Sequence, residues 1–151
     1  MIRDDIKAAL VTSMKAGDKA RTATLRLVQS AVKNRDIELR TAAAPPADDD
    51  ATLIEVLQKM IKQRRESIAL YEQGGRAELA DQEKAEVAVI ETFLPAQMDE
   101  EAAKAAIEAL VAETGAASVK DMGRVMALVK SRFAGQMDMS RASALVKARL
   151  G

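Results

Sequence analysis

Apolar residues recur every three or four positions along most of this chain, a period that predicts helices with one face turned toward a core. Glycine, proline and aspartate interrupt the pattern at intervals and supply the helix ends. In the first part of the chain the pattern predicts four helices, over about residues 4–16, 18–40, 51–73 and 76–93, with Asp18 as the N-cap of the second. We therefore expect an all-α protein in which almost every segment is helical.

Pro95 ends the fourth predicted helix and marks the expected boundary between two domains. We expect an N-terminal four-helix domain over residues 1–95 and a small three-helix C-terminal domain over residues 96–151. The signals for the starts of the last three helices are Asp99 as an N-cap, Ser118 with Asp121 as a capping box, and a start near Asp138. Three short helices form a small core of limited stability.

Residues 41–50 break the helical pattern and are expected to form an exposed linker. Pro45 and Pro46 cannot continue a helix, and three aspartates follow shortly after them. The linker should end at the N-cap of the third helix, which we assign to Asp49 or Asp50.

Arg64 lies on the apolar face of the third predicted helix. A buried guanidinium group needs an acidic partner, because an unpaired charge is costly to remove from water. The fourth helix, expected to run antiparallel to the third, carries Glu83 and Glu86. We predict that one of these two glutamates forms a structural salt bridge with Arg64.

The 151 residues include no histidine and no cysteine, and this absence bears on every catalytic hypothesis. The chain has no imidazole with a pKa near neutrality, no thiol nucleophile and no Cys/His zinc site. No nucleophile–base pair or nucleotide-binding loop is recognisable either. We therefore expect no catalytic residues, no metal site, no cofactor and no enzymatic activity of the chain on its own.

The net charge is zero overall, but basic residues are concentrated at the C-terminal end. From Lys120 onward there are seven basic and two acidic residues, a net charge of +5. Such a segment could follow the phosphate backbone of a folded RNA, although an ordinary solvated helix face has the same composition. The candidate RNA-binding residues are Lys120, Arg124, Lys130, Arg132, Arg141, Lys147 and Arg149.

No segment approaches the roughly 20 apolar residues needed to cross a bilayer. The start of the chain is charged at once and lacks the apolar stretch of a signal peptide. We therefore expect a cytoplasmic protein without a membrane partner.

A protein partner is the alternative to RNA. Met137 and Met139 flank Asp138 in a predicted loop, so we expect them to form an exposed contact patch. Residues 42–96 carry six basic and eleven acidic residues, a second surface that a protein partner could use.

Several blocks of sequence, in the same order, resemble the GatB/YqeY family. The blocks are residues 13–19 (SMKAGDK), 24–27 (TLRL), 30–39 (SAVKNRDIEL), 63–68 (QRRESI), 71–76 (YEQGGR), 93–95 (FLP) and 121–126 (DMGRVM). The likeness covers essentially the whole chain and is greatest to free-standing YqeY-like proteins. It implies a helical domain joined to a small three-helix domain, similar to the C-terminal tail of the B subunit of tRNA-dependent amidotransferases, which contacts the body of the tRNA.

The leading hypothesis is therefore a non-catalytic accessory module that interacts with tRNA or another structured RNA. One alternative is a protein-interaction module with a partner in the translation or amidotransferase machinery. Another is an accessory subunit of a glutamine-dependent carbon–nitrogen ligase that has no activity alone, since the ATP-using catalytic portion of the amidotransferase has no counterpart in this sequence.

Overall fold

A computed structural model describes residues 1–42, 48–95, 97–133, 135–137 and 139–151. Within these ranges the chain forms seven α-helices and one 3₁₀ turn and contains no strand, which confirms the prediction of an all-α protein. The helices are α1 (Ile2–Lys15), α2 (Lys19–Leu39), α3 (Asp49–Gln73), α4 (Ala77–Glu91), α5 (Glu100–Thr114), α6 (Met122–Arg132) and α7 (Met139–Leu150), and the 3₁₀ turn is Val119–Asp121.

The chain divides into two compact units, Met1–Leu94 and Pro95–Gly151. In the first unit α3 and α4 form the most extensive helix pair, while α1 packs on α2 and both contact α3. Apolar side chains at helical spacing meet between these helices and are removed from water. The main cluster of buried residues in this unit is Ile2, Ile6, Val28, Val32, Leu53, Val56, Leu57, Met60, Ile61, Val87 and Ile90, and Leu25 and Ala80 are buried as well.

The second unit is built from α5, α6 and α7, each of which packs on the other two. The segment before α7 also joins the core, because the Met98 N–H donates a hydrogen bond to the Gln136 carbonyl at 2.8 Å and Met137 is only 3% exposed. The prediction that Met137 and Met139 form an exposed patch is wrong: Met137 is a core residue, and Met139 is half-buried against the same cluster. Asp138 lies outside the described residues.

The predicted helix caps agree with the structure at three places. The Asp18 side chain accepts a hydrogen bond from the Arg21 N–H at 3.1 Å, and Asp99 accepts one from the Ala102 N–H at 2.7 Å. The capping box of Ser118 and Asp121 is also present. These short-range signals are reliable because a capping side chain satisfies a backbone N–H only two or three residues away.

The N-cap of α3 lies one or two residues earlier than predicted. Asp48 is the cap, and its side chain accepts hydrogen bonds from the N–H groups of Asp50 and Ala51. The two following aspartates are used in tertiary contacts instead: Asp50 accepts the Ile2 N–H at 3.0 Å, and Asp49 binds Arg3. Pro45 and Pro46 of the expected linker lie outside the described residues.

The predicted ion pair between α3 and α4 is confirmed. Arg64 Nε donates to Glu86 Oε2 at 2.9 Å, and the two side chains are 14% and 16% exposed. Arg64 also donates to the Met60 carbonyl at 3.4 Å. The guanidinium group lies on the apolar face of α3, where burial removes its contacts with water. The ion pair with Glu86 supplies hydrogen bonds in their place.

Arg3 joins three helices through an ion-pair cluster that no local pattern in the sequence indicates. Its guanidinium group binds Asp36 on α2 and Asp49 at the start of α3, each at 2.8 Å. The hydrogen bond from Arg3 is the largest cause that holds the pKa of both carboxyls below their ordinary value. The cluster thus fixes the open end of the α1–α2 hairpin against α3.

The Arg3 cluster predicts a dependence of stability on pH. Because the pKa values of Asp36 and Asp49 are lowered in the folded state, the stabilisation is fully present above their unfolded value of about 4 and is lost as pH falls through the folded values. We expect Asp36→Asn to lower the free energy of unfolding by about 1 kcal/mol or less at pH 7, since these side chains are 37% and 40% exposed.

Urea unfolding of the wild type and Asp36→Asn at a series of pH values measures this effect. The difference between the two proteins should shrink steadily below about pH 4. Asp81→Asn on the exposed side of α4 is the control and should show no comparable difference. A difference that grows on acidification would contradict the assignment.

Candidate nucleic-acid interface

All seven basic residues predicted to bind RNA lie in the second unit, and all seven are exposed. They are distributed over the 3₁₀ turn (Lys120), α6 (Arg124, Lys130 and Arg132) and α7 (Arg141, Lys147 and Arg149). Their exposure agrees with a role in binding, but their availability depends on the acidic groups around them.

Two of the arginines are bound by glutamates of α5. Arg132 forms a two-pronged contact with Glu113, with one N–O distance of 2.7 Å, and Arg149 Nε lies 2.5 Å from Glu108 Oε1. The hydrogen bond from Arg132 lowers the pKa of Glu113. These two cations are largely committed to packing α6 and α7 against α5, since a planar guanidinium matches a carboxylate well.

Arg124 pairs with Asp121, which immediately precedes α6. Its Nη2 atom lies 3.1 Å from Asp121 Oδ1. The other oxygen of Asp121 accepts hydrogen bonds from the backbone N–H groups of Ala117 and Ser118, and these bonds are the main causes that lower the pKa of Asp121. Asp121 is therefore a fixed negative charge beside Arg124, although at 57% exposure Arg124 can still reach a ligand.

Lys120, Lys130 and Lys147 have no carboxylate within ion-pairing distance in the part of the chain that the structure describes. Lys120 and Lys147 lie at the same end of the unit, because the end of α7 reaches Val119. A Cβ placed on Gly151 would stand 3.5 Å from Val119 Cγ2. Lys130 lies ten residues after Lys120, toward the other end of α6, about 15 Å away along the axis.

The seven cations do not converge into a single cluster. Arg124 and Lys130 are six residues apart on α6, a separation of about 120° around the helix, and Arg141 and Lys147 are related in the same way on α7. The described residues therefore include three unpaired lysines and an exposed Arg124 spread over the unit. Contact with separated phosphates fits this arrangement better than a pocket for one small anion.

Glu108 and Glu113 of α5 neutralise two of the candidate arginines, and a charge count along the sequence does not reveal this. Counting charges from Lys120 onward gives a net of +5 but leaves out Glu108 and Glu113, which precede that point. Their pairing with α6 and α7 depends on helix packing. No local signal in the sequence indicates which exposed glutamates of α5 would meet an arginine.

Other chemistries find little support in the described ranges. No group of three or more acidic side chains there could hold a metal ion. Apolar stretches of bilayer-spanning length are lacking in every described helix.

A family model described as "Yqey-like protein" matches residues 3–150. Among curated proteins, the mitochondrial "Altered inheritance of mitochondria protein 41" of Vanderwaltozyma polyspora is 33% identical over 89 residues, covering 59% of this chain and 46% of the relative. "Uncharacterized protein C22F3.15" of Schizosaccharomyces pombe is 30% identical over 90 residues, covering 60% of this chain and 69% of the relative. The "Altered inheritance of mitochondria protein 41" of Pyrenophora tritici-repentis is 29% identical over 134 residues, covering 84% of this chain and 70% of the relative.

These relatives correct the expected location and bear on the expected lack of enzymatic activity. The predicted cytoplasmic location is contradicted, because the relatives from Vanderwaltozyma polyspora, Kluyveromyces lactis and Pyrenophora tritici-repentis are named as mitochondrial proteins. Their names state no enzymatic activity. The match to the Vanderwaltozyma polyspora protein spans about half of that protein's length, so the relative's remaining segments have no counterpart in the comparison.

Proposed function

Because the chain belongs to the YqeY-like protein family, we propose that it is a non-catalytic accessory module that binds structured RNA, tRNA in particular. The observation that carries the proposal is the exposure of Lys120, Lys130 and Lys147 without acidic partners in the described ranges. Ammonium groups that are free in this way can replace the counterions of a phosphate backbone. The resemblance to the C-terminal tail of tRNA-dependent amidotransferases makes tRNA the first RNA to test.

The scarcity of aromatic groups limits what such a module reads. The chain has one tyrosine, two phenylalanines and no tryptophan, so it offers few platforms on which bases could stack. Recognition would rest on the RNA backbone and its shape. An affinity that varies little with sequence but strongly with salt follows from this chemistry.

Titration of an unmodified tRNA transcript with the full chain at 50 to 200 mM KCl tests the proposal. We expect binding that weakens with salt. The triple variant Lys120→Gln, Lys130→Gln, Lys147→Gln should reduce the slope of log affinity against log salt by about 2 to 3, since each lost phosphate contact removes about 0.9. At 100 mM KCl its affinity should be about 10- to 100-fold lower than that of the wild type.

The matched control carries the same charge change at three other exposed lysines: Lys59→Gln, Lys62→Gln, Lys104→Gln. Lys59 and Lys62 are exposed on α3, and Lys104 pairs with Glu100 on α5. The control should bind tRNA as the wild type does. No tRNA binding by the wild type at 50 mM KCl, or binding indifferent to salt, would refute the proposed function.

The two alternatives have less support. The protein-interaction hypothesis loses the exposed methionine patch, because Met137 is buried. The role as accessory subunit of a glutamine-dependent ligase rests on resemblance alone. Transfer of ammonia from glutamine to an aminoacyl-tRNA by the purified chain would overturn the non-catalytic assignment.

A further inference from the structure

A line of four exposed basic residues runs along α2 and its C-cap residue in the first unit: Lys19, Arg26, Lys33 and Arg40. Each is seven residues from the next. Seven residues make two helical turns with a drift of only about 20°, so the four side chains share one side of the helix. They are about 10 Å apart and together span about 31 Å. We refer to these four residues as the α2 cation row.

None of the four forms an ion pair in the described part of the chain. Asp36 is an acidic neighbour of the row, and its lowered pKa includes a small contribution from Arg40. Both oxygens of Asp36 are already hydrogen-bonded to Arg3. The row is therefore less neutralised than the seven candidate residues of the second unit, among which Arg124, Arg132 and Arg149 are paired with carboxylates.

Two clefts open along the seam between α1 and α2. The first contains three cations, one of which is Arg3, already paired with Asp36 and Asp49, and the second contains two. Lys7 and Lys33 line a cleft of about 240 Å³ together with Gln29. Lys19 and Arg26 line another, of about 410 Å³, beside the hydroxyl of Thr22. α1 thus places Lys7 beside the α2 cation row.

The carboxylates at these clefts are already occupied. Asp36, at the first, is bound by Arg3, and Asp18, at the second, caps α2. At the first cleft Asp36 is thus neutralised by Arg3, whereas Asp18 stays exposed and charged at the second, beside Lys19 and Arg26.

We propose that the α2 cation row and the α1–α2 seam form a second surface that binds the phosphate backbone of structured RNA. The proposal rests on the proposed function and extends it from the second unit to the first. Cations about 10 Å apart cannot close on one phosphate, but they can each meet a different phosphate of a long, regular polyanion. Between the cations α2 carries Gln29 and Ser30, whose side chains suit phosphate oxygens and 2′-hydroxyls.

A membrane surface is the competing polyanion, and the apolar residues of α2 argue against it. Docking on lipid requires a continuous apolar face beside the cations. The large apolar residues exposed on α2 in the described structure are Leu27 and Ile37, and they stand ten residues, or about 15 Å, apart along the axis. RNA is therefore the occupant that the charge pattern favours.

The triple variant Lys19→Gln, Arg26→Gln, Lys33→Gln tests the surface in the full chain, with the tRNA transcript as the probe. We expect the slope of log affinity against log salt to fall by about 2 to 3, with affinity at 100 mM KCl about 10- to 100-fold weaker. The melting temperature should change little, because all three side chains are exposed and unpaired in the described structure. The control is again Lys59→Gln, Lys62→Gln, Lys104→Gln.

The outcomes separate this proposal from the proposed function. If the wild type does not bind tRNA, both fail. If the wild type binds and the α2 variant matches the control, the α2 surface is refuted while the proposed function stands. If the α2 variant loses affinity and the variant of Lys120, Lys130 and Lys147 does not, the first unit is the RNA-binding part. Binding to phosphatidylserine-containing vesicles that the α2 variant loses, with tRNA affinity unchanged, would overturn the inference in favour of a lipid surface.

Discussion

Replacing Leu110 with alanine is expected to remove much of the stability of the second unit, Pro95–Gly151, and to unfold part of its population at 37 °C, while the first unit stays folded. Leu110 is 2% exposed in the centre of the α5–α7 core. Such a truncation costs about 3 kcal/mol or more through lost burial and the cavity left behind. A unit of this size has only about 3 to 9 kcal/mol of stability in total, so the loss consumes much of it.

The single tyrosine makes the two units distinguishable in one experiment. Tyr71 lies on α3, so its fluorescence reports on the first unit alone, whereas far-ultraviolet circular dichroism reports on the helices of both. In Leu110→Ala the helical signal at 37 °C should be reduced and the tyrosine transition unchanged.

Leu70→Ala is the matched control, because Leu70 is 68% exposed and the chemical change is the same. It should cost less than about 0.5 kcal/mol. A loss of the tyrosine signal together with the helical signal in Leu110→Ala would show that the units do not unfold separately.

Most of the helical architecture was predictable because helix signals are local. Apolar spacing located every helix to within a few residues, and the caps Asp18 and Asp99 act on backbone groups two or three positions away. The cap of α3 was misplaced because Asp48, Asp49 and Asp50 are equivalent by local criteria. Only tertiary contacts with Arg3 and Ile2 determine which of the three is left to cap.

The errors concern groups whose surroundings depend on packing between helices. Met137 follows Gly135 in a short connection with no helical period, so no local pattern indicates that the connection itself enters the core. Likewise, the availability of Arg132 and Arg149 depends on the position of α5.

The α2 cation row shows a different kind of omission. Its seven-residue spacing is present in the sequence, but a count of charges by segment does not distinguish one helix face from another. Residues 1–41 contain nine basic and five acidic residues, and these totals do not reveal that four of the nine share one side of α2. Among charged residues, position on a helix is therefore more informative about a binding surface than net charge.

The predicted location rested on an absence. A charged start and the lack of an apolar stretch do not identify a compartment. The relatives named as mitochondrial contradict the conclusion.

Replacing Arg64 with leucine is expected to lower the free energy of unfolding of the first unit by about 2 to 4 kcal/mol. The change leaves the Glu86 carboxylate, 16% exposed, without its partner. Glu83 lies one turn earlier on α4, and its Oε2 atom is already buried without a hydrogen bond in the described structure. The variant would therefore hold two poorly hydrated carboxylates on neighbouring turns of one helix. Urea unfolding followed by Tyr71 fluorescence measures the loss.

Adding Glu86→Leu to Arg64→Leu should recover most of the stability that the single variant loses. Two apolar side chains can fill the space of a poorly hydrated ion pair without a desolvation penalty. The four proteins form a double-mutant cycle with an expected coupling of about 2 kcal/mol. The exposed pair Lys84–Glu72, at 52% and 51% exposure, joins the same two helices and serves as the control. Replacing Lys84 with leucine should leave the free energy of unfolding nearly unchanged. If Arg64→Leu were equally mild, the Arg64–Glu86 pair would contribute little to the stability of the first unit.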